Sequence, residues 1–306
     1  MPLPIHNLNQ IRPELLARTD IPVRLRRPYP ALGSDQPRMQ IASRNAGVSN
    51  YHGLTFKSER RFRQGVGWLL AYTFSRWIDD VGFAGAGNFG DNDLQQNIYN
   101  RRSEKSLSTN SVPHRLVFSP TAELPFGKGK PWLKSGGFLN HIVGGWEVST
   151  MGTLRSGAPF GVTVLNGARD ILRDPADGRV LRADILGDPN APAGKKGTPA
   201  TSVRGLQWMN PAAFAAPQAY TLGNVSRTVP KILGPGSVSF DSMVGKNFKF
   251  SERLRAQFRW ETFNSFNSFN TPQFDLPNQD FGGSGFGLVT GAGGRRIMQF
   301  GLKLYW

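Results

Sequence analysis

The last ten residues of the chain, 297–306, read IMQFGLKLYW, and the rest of the sequence is best interpreted outward from them. Apolar side chains occupy every second position, namely Met298, Phe300, Leu302, Leu304 and Trp306. Because successive side chains of a strand point to opposite sides, this alternation predicts a β-strand with one apolar and one polar face. Such a strand fits a half-buried sheet of a soluble protein, or a membrane barrel that is apolar towards lipid and polar towards its lumen.

The composition excludes several classes of protein. The 306 residues include 36 glycines and 22 prolines but no cysteine, so neither a disulfide framework nor a thiolate metal site is possible. The sequence has no run of about 18 or more apolar residues, which excludes a helical membrane span. A β-barrel is compatible with the polar mean hydropathy of -0.36, because alternating strands and polar loops give only a weak hydropathy signal.

The chain is strongly basic, with 37 Lys and Arg residues against 21 Asp and Glu residues and a formal net charge of +16. Such an excess can indicate nucleic-acid binding. Here the basic residues are scattered and often stand beside acids, as in Lys57 with Glu59 and Arg259 with Glu261. We therefore expect no nucleic-acid partner, and we assign the charge to solvated loops, a polar lumen and a surface that faces lipopolysaccharide.

Seven segments share the alternation of the C-terminal stretch and are predicted to be strands. They are residues 53–62, 66–76, 114–126, 141–155, 238–250, 253–266 and 297–306. Their lengths are close to the roughly 9 to 11 residues that cross a bilayer in a tilted strand. Pro120 interrupts the third segment. Because proline has no N–H for the ladder, we expect a bulge or a locally unpaired position there.

The connections between these segments alternate in length. Short or medium links follow the first, third and fifth segments, whereas the long loops 77–113, 156–236 and 267–296 follow the second, fourth and sixth. All long loops would then lie on one side, as in outer-membrane barrels with short periplasmic turns and long extracellular loops. A structureless connection as long as 156–236 also argues against a compact soluble domain.

These observations predict an all-β fold, an antiparallel transmembrane β-barrel segment of about seven strands with long extracellular loops. It would occupy residues 51–306, after an irregular, proline-rich segment at 1–50. Two alternatives stay open. A soluble β-sandwich acting as a binding or adhesion module would bury Trp68, Phe258 and Leu302 in a dry core. An oligomeric barrel would combine strands from several copies of the chain.

The parity opposite to the apolar one carries charged side chains, which we predict to face the lumen. They are Lys57, Glu59, Arg115, Glu123, Glu147, Asp241, Lys249, Arg255, Arg259, Glu261 and Lys303. One interpretation is a ladder that guides a ligand. The other, which we favour, is a set of cross-strand pairs that satisfy a polar interior.

The sequence offers no group of residues suited to catalysis. The four histidines, His6, His52, His114 and His141, are isolated and have no metal-ligand spacing. The glycine-rich stretch 282–294 lacks the Lys-Ser/Thr pair of a phosphate-binding loop. No nucleophile with a base and an orienting group can be named. We therefore expect no enzymatic activity, no cofactor and no metal site.

Several stretches, in the same order along the chain, resemble one family. They are SNYHGLTFKSERRFRQGVGWLLAYTFSRWIDD (49–80), HRLVFSPTAELPFGKGK (114–130), GGWEVSTMGTLRSGAPF (144–160), RLRAQFRWETFNSFNSFNTPQF (253–274) and MQFGLKLYW (298–306). They are similar to the C-terminal barrel of TonB-dependent outer-membrane receptors, specifically the Oar-like type of acidobacteria. The resemblance covers about a third of the chain and implies a nutrient transporter whose barrel has about 22 strands around a plug.

The resemblance also implies partners and a role for the last strand. Seven strands are too few for a closed single-chain barrel, which has at least about eight, and the start of the chain does not read as a secretory signal peptide. We therefore expect the C-terminal portion of a longer receptor, which meets TonB only through an N-terminal plug region absent here.

Other implied partners are outer-membrane lipid, lipopolysaccharide, the barrel assembly machinery and an unidentified small nutrient, captured by loops 78–113 and 156–236. Met298, Phe300, Leu302, Leu304 and Trp306 would form the C-terminal sorting strand that the assembly machinery reads. The edge of this strand would have no partner in the chain, so we expect the chain to aggregate there when it is made alone.

Overall fold

Seven long strands dominate the computed structural model of the chain. It describes all residues except 1, 4–5, 33–39, 42–43, 46, 81–94, 128, 133–137, 175–178, 202–203, 252, 269–275 and 292. The strands are β1 (Ser49–Arg63), β2 (Val66–Asp79), β3 (His114–Glu123), β4 (Trp146–Arg155), β5 (Ser237–Lys249), β6 (Arg255–Phe263) and β7 (Ile297–Tyr305). All seven predicted strands are therefore present.

Several strand boundaries differ from the predicted ones, and at two strands the backbone shows the cause. Residues 141–145 were expected to begin the fourth strand, but they belong to the helix Phe138–Val143 and to two glycines before β4. Gly145 has a φ of +74°, and a Cβ there would come within 2.5 Å of the Asn247 carbonyl oxygen. The chain can therefore turn into β4 only at a glycine. At the end of β6, Asn264 has a φ of +48° and stops the strand before residue 266.

The long strands form one antiparallel meander. Their order in the sheet is β7-β6-β5-β4-β3-β2-β1, so neighbours in sequence are also neighbours in space. The two-residue strand Ser106–Leu107 extends the sheet beside the end of β2. The meander is open in the described part of the chain, where β1 pairs only with β2 and β7 only with β6.

One parity is kept from Ser49 to Arg60 of β1 and through the other six strands, so that even-numbered residues share one face and odd-numbered residues share the other. The register shifts only at the end of β1, where Arg63 is opposite Val66. For example, Phe56 is opposite Tyr72, Tyr72 is opposite Leu116, and Leu116 is opposite Leu154. The ladder between β3 and β4 runs in the same register on both sides of Pro120, with no pair recorded at Ser119 or Pro120. The expected interruption is thus a local loss of pairing without an inserted residue.

Shorter elements lie outside the meander. Two-residue strands pair as Pro2–Leu3 with Arg44–Asn45, His6–Asn7 with Gln40–Ile41, Thr163–Val164 with Asp280–Phe281, Asp184–Ile185 with Phe214–Ala215, and Leu206–Gln207 with Leu288–Val289. The remaining helices are Pro13–Leu16, Val23–Arg26, Arg101–Glu104, Gly167–Asp170 and Pro211–Ala213. None of the described helices is long and apolar enough to cross a membrane.

The buried apolar core lies in the loops rather than in the sheet. One cluster packs Phe160, Val162 and Met209 with neighbouring side chains, and a second contains Ile11 and Leu181. We call the described residues of 8–32, 95–112, 156–236 and 276–291 the loop body. Residues 156–236 are irregular, as expected, but they are not structureless, because their apolar side chains pack against each other and against residues 11–16 and 276–289.

The loop body lies at one end of the sheet. Its long segments begin or end at Asp79, Arg155 and Ser237, whereas the connections at the opposite end are shorter. The predicted loops 77–113 and 267–296 and the predicted segment 1–50 fall partly outside the described residues. In their described parts they contribute to the loop body, and β2 extends to Asp79, beyond the predicted boundary at residue 76.

Candidate functional site

The even face of the sheet exposes large apolar side chains. Leu54 is 72% exposed, Phe56 61% and Phe300 71%. Burial of one such side chain is worth about 1.5 to 3 kcal/mol, so a folded sheet with this face in water would forgo a large stabilisation. Contiguous apolar surface of this kind marks an interface with a protein or a membrane.

A dry sandwich core is absent from this part of the structure. The soluble β-sandwich would require buried side chains at Trp68 and Leu302, but they are 38% and 66% exposed. Phe258 is only partly buried and stacks against Phe300, with ring centroids 6.1 Å apart. The described residues therefore provide no second sheet over this face, and the alternative of a soluble sandwich is not supported.

Aromatic rings on the even face pack along the sheet surface. Phe118 and Phe240 meet edge to face at 5.6 Å, although Gly152 of β4 lies between them in the ladder. A Cβ on Gly152 would come within 2.3 Å of the Phe118 ring. The glycine thus allows the ring of Phe118 to lie over the backbone of β4, an arrangement that shields a glycine within a sheet.

The predicted sorting residues all lie on the even face of the edge strand β7 or directly after it. Their exposed fractions are 46% for Met298, 71% for Phe300, 66% for Leu302, 54% for Leu304 and 93% for Trp306. Leu302 is opposite Phe258, and Phe300 is opposite Trp260. Their recognition by the assembly machinery stays a prediction.

The odd face carries all the charged residues that the sequence predicts for a lumen, and many of them have partners. Lys57 lies 2.7 Å from Glu59, and Arg259 forms an ion pair with Glu261, which also accepts a hydrogen bond from Gln299. These contacts agree with the favoured interpretation of paired charges. That this face lines a lumen stays a prediction.

Other charged residues of this face have no opposite charge across the ladder. Glu123 is directly opposite Glu147; Glu123 pairs instead with Lys130, and Glu147 accepts a hydrogen bond of 3.2 Å from Gln257. The carboxylate of Asp241 accepts from the backbone N–H of Asn264 at 2.8 Å. Lys249 is directly opposite Arg255, and Lys303 is opposite Gln257.

The odd face also contains a cavity of about 750 Å³ where the sheet meets the loop body. Its wall includes a single cross-strand row of side chains: Thr55, Thr73, Arg115, Arg155 and Ser237. Arg115 is among the residues predicted to face the lumen, whereas Arg155 is not. The odd parity of Arg155 was visible in the sequence, but its place directly opposite Arg115 follows only from the register between β3 and β4.

Loop residues 108–112 are held over this cavity by hydrogen bonds to β2. The Ser75 hydroxyl donates to the carbonyl oxygen of Val112 at 2.9 Å, and the backbone N–H of Trp77 donates to the Ser111 hydroxyl at 3.3 Å. The backbone N–H of Ser108 donates to the carbonyl oxygen of Trp77 at 2.9 Å. Because these contacts fix the loop to a strand, the cavity is largely preformed, as small-molecule sites usually are.

Two aromatic rings form one wall of the cavity. Tyr51 and Trp77 are directly opposite in the β1–β2 ladder, and their rings meet almost at right angles with centroids 6.2 Å apart. The Trp77 indole N–H donates to the Ser49 hydroxyl at 2.6 Å, which orients the ring. The cavity thus combines two guanidinium groups, several hydroxyls and an aromatic wall.

Buried ion pairs join the segments of the loop body. Arg227 pairs with Asp79 at the end of β2, and its Nε–H donates to the carbonyl oxygen of Glu104 at 3.1 Å. Arg182 pairs with the carboxylate of Glu104, whose side chain is 0% exposed. These contacts connect loop 156–236 to residues 79–104. The paired residues are far apart in sequence, so no local pattern predicts these contacts.

A second cavity, of about 870 Å³, lies within the loop body. It is lined by residues 163–169, 179–181 and 276–280. Its charged lining residues already have partners within the protein: Arg169 pairs with Asp170, and Asp280 accepts a hydrogen bond from Thr163. The described residues also contain no group of three His, Asp or Glu side chains that could hold a metal ion. The first cavity is therefore the stronger candidate for a ligand site.

Comparison with known proteins agrees with the architecture. No curated protein matches the chain. The family model described as "Outer membrane beta barrel domain" matches residues 3–299, which is almost the whole chain. Its barrel architecture accounts for the antiparallel meander, the exposed apolar face and the polar opposite face. The chain therefore belongs to the outer membrane beta barrel domain family, and its place is the outer membrane.

Proposed function

We propose that this outer-membrane barrel is the C-terminal part of the barrel of a TonB-dependent, Oar-like receptor that takes up a small nutrient. The even face contacts lipid, the odd face lines the passage, and the loop body captures the nutrient outside the cell. The observation that carries the proposal is the cavity at the junction of the polar face and the loop body. A passage for a solute requires such a polar opening on the side where the solute arrives.

The position and packing of the loops support capture from outside. The long loops lie together at one end of the sheet, which in barrels of this family is the extracellular end. Their segments are held by an apolar core and by buried ion pairs such as Arg182 with Glu104. A preformed surface binds a ligand with a smaller loss of conformational entropy than mobile loops do.

In this proposal the barrel acts as a scaffold and performs no chemistry. TonB acts through a plug region N-terminal to the barrel, and energised movement of the plug gates the passage. The barrel assembly machinery and lipopolysaccharide are the other partners, the first through β7 and the second through the basic loops. The net charge of +16 favours contact with anionic lipopolysaccharide.

The test is uptake in the Gram-negative host that carries the gene. A strain without the gene and a strain with inactive TonB are grown on an array of single carbon sources and chelated iron compounds. We expect both strains to lose growth on the same compound, and we expect the full gene to restore growth in the first strain. Growth of the deletion strain on every compound, or growth that does not depend on TonB, would contradict the proposal.

A further inference from the structure

The row at the wall of the cavity contains an unusual pair of like charges. Arg115 of β3 and Arg155 of β4 occupy directly opposite ladder positions on the odd face. Side chains at such positions start from Cβ atoms about 4.5 to 5.5 Å apart, and like charges placed there repel. The pair is destabilising by itself unless an anion lies close to both guanidinium groups.

The described residues supply no such anion. Thr73, which is opposite Arg115, and Ser237, which is opposite Arg155, are uncharged. Arg155 donates its Nε–H to the Ser237 hydroxyl at 2.8 Å, and its terminal nitrogens have no hydrogen-bond partner among the described residues. The guanidinium group of Arg115 forms no hydrogen bond or ion pair with the described part of the chain, and the side chain is exposed to the cavity.

The other charges on this face show that the pair is not simply part of a neutralised surface. The acids Glu59 and Glu261 are paired with cations on their own strands. Asp79, nearer to the loop body, is engaged by Arg227. Each guanidinium group has about five N–H donors. Arg155 gives one of them to Ser237, and the others remain for a bound molecule.

The remaining walls define the shape of the bound molecule. Hydroxyls of Thr55 and Thr73, which lie 3.1 Å apart, continue the row beside Arg115. The aromatic rings of Tyr51 and Trp77 form the wall nearer to the loops. Planar guanidinium groups match a carboxylate through paired hydrogen bonds, and aromatic faces favour a flat apolar partner.

We propose that the cavity binds a small organic carboxylate with a flat ring, whose carboxylate lies between Arg115 and Arg155 and whose ring lies against Tyr51 and Trp77. The inference rests on the proposed uptake function, because it names the class of nutrient that the passage would admit. A carboxylate held there would convert the repulsion between the guanidinium groups into two charge-assisted contacts. It would reach the site through the opening on the polar face, away from lipid.

The test measures binding directly on the receptor extracted with detergent from the outer membrane of its host. Benzoate is the probe, and benzamide, which has the same ring and no charge, is its control in isothermal titration calorimetry. We expect benzoate to bind and benzamide to bind at least about tenfold more weakly, because only the carboxylate engages both arginines. Benzoate binding should also weaken as the salt concentration rises.

Variants then connect the binding to the row. Arg115→Gln and Arg155→Gln should each weaken benzoate binding about ten- to a hundredfold, since each removes one charged hydrogen-bonding group. Arg76→Gln is the matched control: it removes the same charge near the same end of the sheet, but on the even face of β2. It should leave binding unchanged. Because Arg115 is exposed, its replacement should not prevent folding, which heat-modified gel mobility checks.

Equal binding of benzoate and benzamide would overturn the inference. Unchanged benzoate binding by both Arg115→Gln and Arg155→Gln would overturn it too. Neither result depends on transport, so TonB-dependent uptake could persist while the carboxylate site is disproved. Conversely, a carboxylate site confirmed by calorimetry would stand even if the growth assay contradicted TonB-dependent uptake.

Discussion

The ion pair between Arg227 and Asp79 is predicted to hold the loop body to the sheet. Both side chains are buried, with exposed fractions of 7% and 6%. Arg227 also donates to the backbone carbonyl oxygens of Asp79 and Glu104, each at 3.1 Å. The perturbation is Asp79→Asn, which keeps the shape of the side chain and removes its charge. Arg227 is then left buried without its counterion.

The magnitude follows from the cost of an unpaired buried charge. Breaking a buried ion pair by removing one partner costs about 3 to 5 kcal/mol. The equilibrium between the closed and the locally open loop body should therefore shift by about two to four orders of magnitude, since about 1.4 kcal/mol corresponds to a factor of ten. The sheet itself should remain folded, because the contact lies beyond the membrane-facing part of β2.

Limited digestion with trypsin measures this opening. Arg179, Arg182 and Arg227 are buried in the loop body and become cleavable only when it opens. When opening and closing are fast, the rate of cleavage follows the open population. We expect Asp79→Asn to be cleaved faster at these arginines in protein extracted from the outer membrane with detergent, by a factor that matches the shift in the opening equilibrium.

Two further variants serve as controls. Asp20→Asn breaks the exposed contact between Arg18 and Asp20 and should leave cleavage at the buried arginines unchanged, since surface pairs contribute little. The double variant Asp79→Leu with Arg227→Met removes both charges and should recover most of the protection. If Asp79→Asn is cleaved at the wild-type rate, or if the double variant is as labile as the single one, the reasoning is refuted.

Three other predictions concern the two faces, the loops and the last residue. Leu302→Lys should lower the free energy of folding into lipid vesicles by up to about 2 to 4 kcal/mol. Gly301→Glu also adds a charge, but on the odd face opposite Arg259 and with open space around its Cβ, and it should have little effect; equal losses in urea titrations would disprove the assignment of faces. Gly223→Ala should speed tryptic cleavage of the loop body, because a Cβ at residue 223 would lie 2.0 Å from the Arg182 carbonyl oxygen. A Cβ at residue 187 meets no atom within 4 Å, so Gly187→Ala should be cleaved like the wild type. Similar cleavage of both variants would count against tight packing around Gly223. Deletion of Trp306 should reduce assembly into the outer membrane in cells, measured by membrane fractionation, without reducing refolding into vesicles; normal assembly would rule out a role in sorting.

The sequence alone determined the strands and their two faces. Alternation with a period of two is a local property, because each residue of a strand points away from the last. Met298, Phe300 and Leu302 could therefore be assigned to one face without knowledge of any partner strand. The strict alternation of short and long links also placed the long loops on one side. The family model confirms the outer-membrane barrel that these two patterns predict.

Only the tertiary structure decided what the loops and the cavity are. The ion pairs of Arg182 with Glu104 and of Arg227 with Asp79 join residues 78 and 148 positions apart, so no local pattern in the sequence reveals them. The pairing of Arg115 with Arg155 depends on the register between β3 and β4, which sets which side chains meet across the sheet. The local alternation thus determined which side chains share a face of each strand. Contacts between distant segments determined the candidate site.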